Sequence, residues 1–462
     1  MAILCGSRTE FCNCSWSSMR MTSAIEVMAR FAAQTPSKSI PQEVRDFAAT
    51  LILDLLAAAS AGISSPLAQT ALRAGRKLYG NGGTAVWFTE DRLSWLGAAY
   101  VNSSAASALD IDDGHRGACG HAGAGVIPAV LALAENGDYD GRAIIDAIIV
   151  GYEVALRVAS ARPTPTIVSY ASGKWVAYGV AAAAGRLLGL NAEQIAEAMA
   201  IAGAESPILF PSGTSRRQGS TVKEGIPPAV AIGLMAAIRA QAGGTGPTDL
   251  LDNPNLFTPD ILIGDLGSNW QTARNYLKPY ACCRYMHAAI DAIAEMRQPG
   301  KPVKQLKIEL FPQGMKLGNV RAPRSLEEGQ YSYPFSCSLA ALRGIEALQP
   351  VRLESLADKE VLELASRVEL EVAPDFVESF PARTPARVTI DYGEGPQTRT
   401  VDYPLGDTAN PMSRAQIEAK FRQLSKEVMD TAAQDKLLTA VDTLDNEGPS
   451  RLFAILGAKA SA

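Results

Sequence analysis

At 462 residues the chain is long enough for two domains with a sizeable core. Its 43 basic and 48 acidic side chains leave a net charge of −5 with no basic run, which argues against a nucleic-acid partner. No apolar stretch is long and charge-free enough to span a bilayer, so a membrane partner is not expected either.

The first twenty residues are polar and irregular and lack the apolar core of a secretory signal, and Met21 reads as a natural start. The seven cysteines lack metal-ligand spacing; Cys12 and Cys14 lie in the tail, and Cys282 and Cys283 are adjacent. This pattern suggests reduced thiols and a cytoplasmic setting. Ser23 with Glu26 forms a capping box ahead of a helix carrying Ile25, Met28 and Phe31. Pro41 suits the first turn of a second helix, in which Val44, Phe47, Ala48, Leu51, Ile52 and Leu55 recur at helical spacing.

The small apolar run SSAASAL, residues 103–109, reads as a buried helix. It leads into the stretch from Ala108 to Pro128, which holds Asp110, Asp112, Asp113, His115 and His121 and ends in an apolar helix from Val126 to Leu133. Carboxyl and imidazole groups between two buried helices are costly unless paired or used. A tuned carboxylate beside a histidine is also common equipment for moving protons near neutral pH. The plainer reading is turn and capping chemistry, in which Asp and Gly are ordinary.

Helices over Ala143–Ala159, Trp175–Leu188, Ala192–Ala202 and Pro228–Ala242 follow, so residues 1–273 read as an all-helical bundle with no convincing strand. From residue 274 to 408 the period changes. After an amphipathic helix, His287–Met296, apolar side chains alternate at Leu306, Ile308 and Leu310, at Val368, Leu370 and Val372, and at Val388, Ile390 and Tyr392. A Gly393-Glu394-Gly395 turn then leads to Thr398–Val401. With helices near Phe335–Ala347 and Leu356–Ser366, this is an α+β lid domain with a partly solvated antiparallel sheet. Ser413 and Gln416 open a further capping box, and residues 409–462 are expected to rejoin the helical domain. The fold class is therefore mainly α with an inserted, smaller α+β domain.

The segment DIDDGHRGACGHAGAGVIPAVLALAE resembles the signature of the MmgE/PrpD family: an acidic D-x-D-D, one or two histidines, then glycine and V-I-P-A opening a helix. GYEVALRVA (151–159), GVAAAAGRLLGL (179–190), AGGTGP (242–247), LKPYACCRYMHAAIDA (277–292) and NPMSRAQIEAKF (410–421) follow in family order. The resemblance implies a homodimeric enzyme that needs no metal or other cofactor and moves a proton α to a carboxylate of a small di- or tricarboxylate. It carries catalytic roles onto Asp110 and His121. Lys278, at the junction of the domains, can bind a carboxylate or exchange a proton. Arg284 can clamp a second carboxylate, and Asp113 and His115 join the substrate-binding set.

Lys223 matches a pocket lysine, although its spacing is off by about one residue, and Arg216 and Arg217 are alternatives. Tyr170 stands where decarboxylase-like members carry a histidine, and Gly114 where a hydroxyl residue is common. The hydroxyls of Tyr331, Ser332 and Tyr333 belong to a segment resembling one that closes over the family site. His287, opening its helix, reads as structural.

Within the family the replacement at Tyr170 favours an epimerase, similar to iminodisuccinate epimerase, because epimerisation needs no leaving group. The alternative is a lyase, 2-methylcitrate dehydratase or cis-aconitate decarboxylase. Two readings of other classes compete. One is an Mg²⁺ or Zn²⁺ site built from D-I-D-D-G with the histidines, which the helical character of the preceding segment opposes. The other is a non-catalytic interaction protein, which the retention of Asp110, His121 and Lys278 opposes.

Overall fold

A computed structural model describes residues 22–207 and 222–458. Helix α1 (Ala24–Gln34) begins at the reciprocal Ser23–Glu26 cap. Helix α2 (Gln42–Gly62) starts one residue after Pro41, which caps it instead of sitting in its first turn. Val44, Leu51, Ile52 and Leu55 of α2 are buried, each worth about 1.5–3 kcal/mol. That face also carries Asp54 into the core. Helix α3 (Pro66–Leu78) leads to a hairpin of β1 (Asn81–Ala85) and β2 (Arg92–Leu93), and then to α4 (Trp95–Ser107).

The expectation of no strand in this half is corrected here. The first three residues of β1, Asn-Gly-Gly, are exposed, so no apolar alternation marks the strand. A two-residue strand, β3 (Gly114–His115), precedes α5 (Gly123–Glu135), α6 (Gly141–Ser160), α7 (Val176–Leu187), α8 (Ala192–Glu205) and α9 (Ile226–Gln241). All of α7 but Arg186 is buried. Its axis approaches α6 closely because glycines meet at the crossing: a Cβ on Gly179 would lie 2.3 Å from the Gly151 carbonyl oxygen.

Strand β4 (Asn275–Tyr276) pairs antiparallel with β3. The smaller region follows: α10 (His287–Met296), β5 (Gln305–Leu310), short α11 (Pro312–Met315) and α12 (Leu326–Gln330), α13 (Tyr333–Arg343), α14 (Lys359–Arg367), β6 (Glu369–Val372), β7 (Ala386–Asp391) and β8 (Pro396–Val401). The sheet order is β6-β5-β7-β8. The inward set Leu306, Ile308, Leu310, Ala386, Val388 and Ile390 is buried, and α10 packs across β7 and β8.

The antiparallel expectation holds for β5, β7 and β8, but β6 runs parallel to β5. Helices α11 to α14 provide the long crossover that a parallel neighbour requires. Val372 in this edge strand is 41% exposed, so its apolar alternation does not mark a buried face.

Helices α15 (Arg414–Ser425), α16 (Thr431–Asp442), α17 (Leu444–Glu447) and α18 (Ser450–Leu456) end the described chain. The Ser413–Gln416 cap is present, α15 packs against α2, and α17 packs against α6. The fold is mainly α with a smaller sheet-containing region. Among the described residues, no single helix is long and apolar enough to cross a membrane.

Candidate active site

The loop between α4 and α5 is held by a short ladder. Gly114 pairs with Tyr276 and His115 with Asn275, and His115 also bridges Gly120. This register places Lys278, two residues past β4, against Asp110. A Cβ on Gly114 would meet the Tyr276 hydroxyl oxygen at 2.5 Å, so the tyrosine side chain takes the space a hydroxyl residue would need.

Lys223 arrives from the turn before α9. Lys223, Glu224 and Gly225 have φ of 25°, 54° and 69°, and Asp110 itself has φ 53°. Left-handed conformations at non-glycine residues cost about 1–3 kcal/mol each and tend to concentrate at functional sites.

These strained positions converge. Lys223 Nζ donates to Asp110 Oδ1 at 2.5 Å, Lys278 Nζ donates to Asp110 Oδ2 at 2.8 Å, and His121 Nε2 lies 3.5 Å from Oδ1. All four residues are buried. Burial opposes ionisation of Asp110, but the ammonium groups of Lys223 and Lys278 and the His121 imidazole outweigh it and hold its carboxyl far below the usual range. His121 Nδ1 lies 2.8 Å from the Asp113 carbonyl oxygen and 3.2 Å from Asp112 Oδ2. Desolvation lowers the His121 pKa, yet the Asp112 carboxylate, through charge and hydrogen bond, brings it up to about 9. Near neutral pH the site thus holds an imidazolium and a lysine pair around the carboxylates of Asp110 and Asp112. Such an array can bind substrate carboxylates and deliver a proton.

Two further side chains complete the cluster. Tyr331 Oη accepts from Lys223 Nζ at 3.1 Å and donates to Glu224 Oε1 at 3.2 Å. Glu224 Oε2 accepts from Ser172 Oγ at 2.8 Å and from Ser172 N at 3.2 Å, while the His121 backbone N–H donates to Ser172 Oγ at 3.0 Å. Glu224 is not among the site residues expected from sequence, and Asp112 is marked there only as a member of the acidic stretch. For Glu224 the one available signal was an acid adjoining the lysine just before a Pro-Pro helix start. Tyr331 was among the hydroxyls without an assigned role. Its neighbours are structural: Ser332 Oγ caps α13, and Tyr333 Oη donates to the Tyr285 carbonyl.

The structure does not bring every expected residue into the cluster. Arg284 is buried with its guanidinium turned to the Leu405 and Pro404 carbonyls and the Asp407 carboxylate, and it stacks at 4.7 Å on the Tyr276 ring. The clamp expected for a substrate carboxylate is taken by Asp407. The Asp113 carboxyl points to Tyr152 Oη at 3.3 Å. Burial, with the Asp112 and Asp54 charges, pushes its pKa up to about 8. His115 accepts from the Ala118 N–H through Nδ1, and burial, aided by Arg274, lowers its pKa to about 4. Both are therefore neutral packing groups at pH 7.

Tyr170 is half-buried with its ring edge-on to Phe380, 6.3 Å between centroids, and its hydroxyl makes no hydrogen bond among the described residues. His287 is structural, as expected, with Nε2 3.1 Å from the Cys282 carbonyl. Arg216 and Arg217 lie outside the described residues.

Ligand atoms of Asp110, His121 and Glu224 lie within 4.8 Å of one another, close enough for a divalent ion. Both oxygens of Asp110 already accept from ammonium groups, and His121 carries charge of the same sign, so the donor set fits a metal poorly.

A mainly α scaffold holds a buried Lys–Asp–Lys–His cluster, the candidate acid–base site of this chain. The chain belongs to the MmgE/PrpD family: the N-terminal domain of that family matches residues 26–266 and the C-terminal domain matches residues 280–446. It is 27% identical over 459 residues to a cis-aconitate decarboxylase of Aspergillus terreus, covering 90% of this chain and 92% of that protein. The Homo sapiens cis-aconitate decarboxylase is 26% identical over 434 residues, 86% of each chain. The Mus musculus enzyme is 24% identical over 429 residues, 86% of this chain and 85% of that one. These relatives are lyases, and they give no support to the epimerase preference.

Proposed function

We propose that this chain is a carboxy-lyase that removes CO₂ from a small unsaturated polycarboxylate of the cis-aconitate type. The observation that carries this reading is a charged His121 beside two ammonium groups in one buried cluster, in a family whose relatives decarboxylate that substrate.

In such a substrate a –CH₂–CO₂⁻ group is allylic to an alkene conjugated with another carboxylate. Breaking the C–CO₂ bond sends its electron pair into a new alkene. The old alkene pair takes up a proton on the carbon next to the remaining carboxylate. Lys223 and Lys278 offset the charge that develops on that carboxylate. His121 supplies the proton from Nε2, because its Nδ1 proton is held by the Asp113 carbonyl and the Asp112 carboxylate.

The test is a panel of cis-aconitate, 2-methylcitrate and iminodisuccinate, followed by CO₂ release and by proton NMR. CO₂ with a rearranged alkene from cis-aconitate supports the proposal. Alkene formation from 2-methylcitrate without CO₂, or exchange of the iminodisuccinate α-proton alone, contradicts it.

A further inference from the structure

Decarboxylation consumes one proton per turnover, and His121, which supplies it, is buried. So are Asp110, Asp112, Lys223 and Lys278, whereas Glu224 is partly exposed. A carboxylate oxygen of Glu224 lies within 4.8 Å of both a His121 ring nitrogen and an Asp110 oxygen. One water molecule spans such a gap with two hydrogen bonds of ordinary length. Glu224 is also fixed relative to the imidazole, since Ser172 hydrogen-bonds the Glu224 carboxylate and the His121 backbone together. The left-handed backbone at Glu224 marks a position held against its own preference.

We propose that Glu224 is the proton-relay residue that reloads His121 between turnovers; this rests on the decarboxylase reading above. After the carbon has taken the Nε2 proton, His121 is neutral. Glu224 takes a proton from solvent, passes it through one bridging water to Nε2, and returns to the carboxylate that accepts from Tyr331 and Ser172. The sum over one cycle is one substrate carboxylate and one solvent proton converted to CO₂ and a C–H bond.

The test is Glu224→Gln in rapid-quench kinetics. The amide keeps the shape and can still accept from Tyr331, but it carries no exchangeable acid proton. Later turnovers should slow by about tenfold or more relative to the first turnover of the same variant. Product then appears as a burst of one per active site. Added formate, a small acid that can take the place of the missing carboxyl, should restore the slow phase. Equal slowing of first and later turnovers, with no effect of formate, overturns the proposal.

If the wild type releases no CO₂ from any substrate, the functional reading itself fails. The relay is then read from deuterium uptake next to the carboxylates of tricarballylate in D₂O. Slowing of that uptake in Glu224→Gln supports it, and unchanged uptake overturns it.

Discussion

Lys420 and Asp54 stand 366 positions apart in the chain, yet Lys420 Nζ donates to Asp54 Oδ1 at 2.6 Å and to the Ile111 carbonyl at 2.8 Å. Both side chains are buried, so a helix near the C-terminus fastens the loop that carries Asp110 and Asp112. Removing one member of a buried ion pair leaves the other uncompensated, at a cost of about 3–5 kcal/mol. Lys420→Ala is therefore expected to lose that much stability in urea titrations. The double variant Lys420→Met with Asp54→Leu is expected to regain most of it. Equal loss in both would show that the pair is not what the core depends on.

Under the proposed function, turnover is expected to depend on Lys278 and His121 through different atoms of the same cluster. Lys278→Ala leaves Asp110 paired with Lys223, and His121→Ala removes the proton donor. Each is expected to lower kcat by about 10²–10⁴-fold while circular dichroism stays native. Near-wild-type kcat in either variant would place the chemistry elsewhere.

The pH dependence follows from His121. Its native pKa, raised from 6.5 to about 9, makes the protonated form the working acid. Activity as kcat/KM is expected to hold through neutrality and fall as pH rises past about 9. The same shift affects stability. Between pH 6.5 and 9 the native state binds more protons here than the unfolded chain, so stability declines with rising pH across that window. Asp113, raised from 3.8 to about 8, acts in the same direction between those values. Asp113→Asn should remove its share of the decline between pH 3.8 and about 8 in thermal melts, and an unchanged decline would contradict the assignment.

Tyr170→Phe is expected to change kcat by less than about threefold. A phenol whose pKa is raised by burial is a poorer acid at neutral pH than the charged His121, and the ring contact with Phe380 survives the change. A large loss of kcat would return Tyr170 to the proton-transfer step.

Local patterns carried much of this architecture. The Ser23 and Ser413 capping boxes, the bounds of α10 and the alternation of β5 and β7 are short-range signals that tertiary contacts reinforce. The acidic loop also marks the candidate site, because clustered ionisable groups among small apolar residues need partners. Other features had no local mark. The parallel placement of β6 depends on a crossover through four helices. Lys420 sits in a helix with many charged residues and reads as part of a solvated face until α2 covers it. Glu224 reads as an ordinary helix-start acid, and only its backbone conformation and its contact with Tyr331 turn it toward Asp110. Arg284 carried the right chemistry for a substrate clamp, but Asp407, 123 positions away, had already claimed it.

Protonation of carbon by His121 as CO₂ leaves is tested most sharply by proton NMR of the cis-aconitate reaction run in D₂O, with CO₂ counted in parallel. One deuterium per CO₂ is expected, placed on a single face of the former alkene CH, with both signals lost in His121→Gln. Deuterium scrambled over both faces, or CO₂ released at the wild-type rate by His121→Gln, would contradict it.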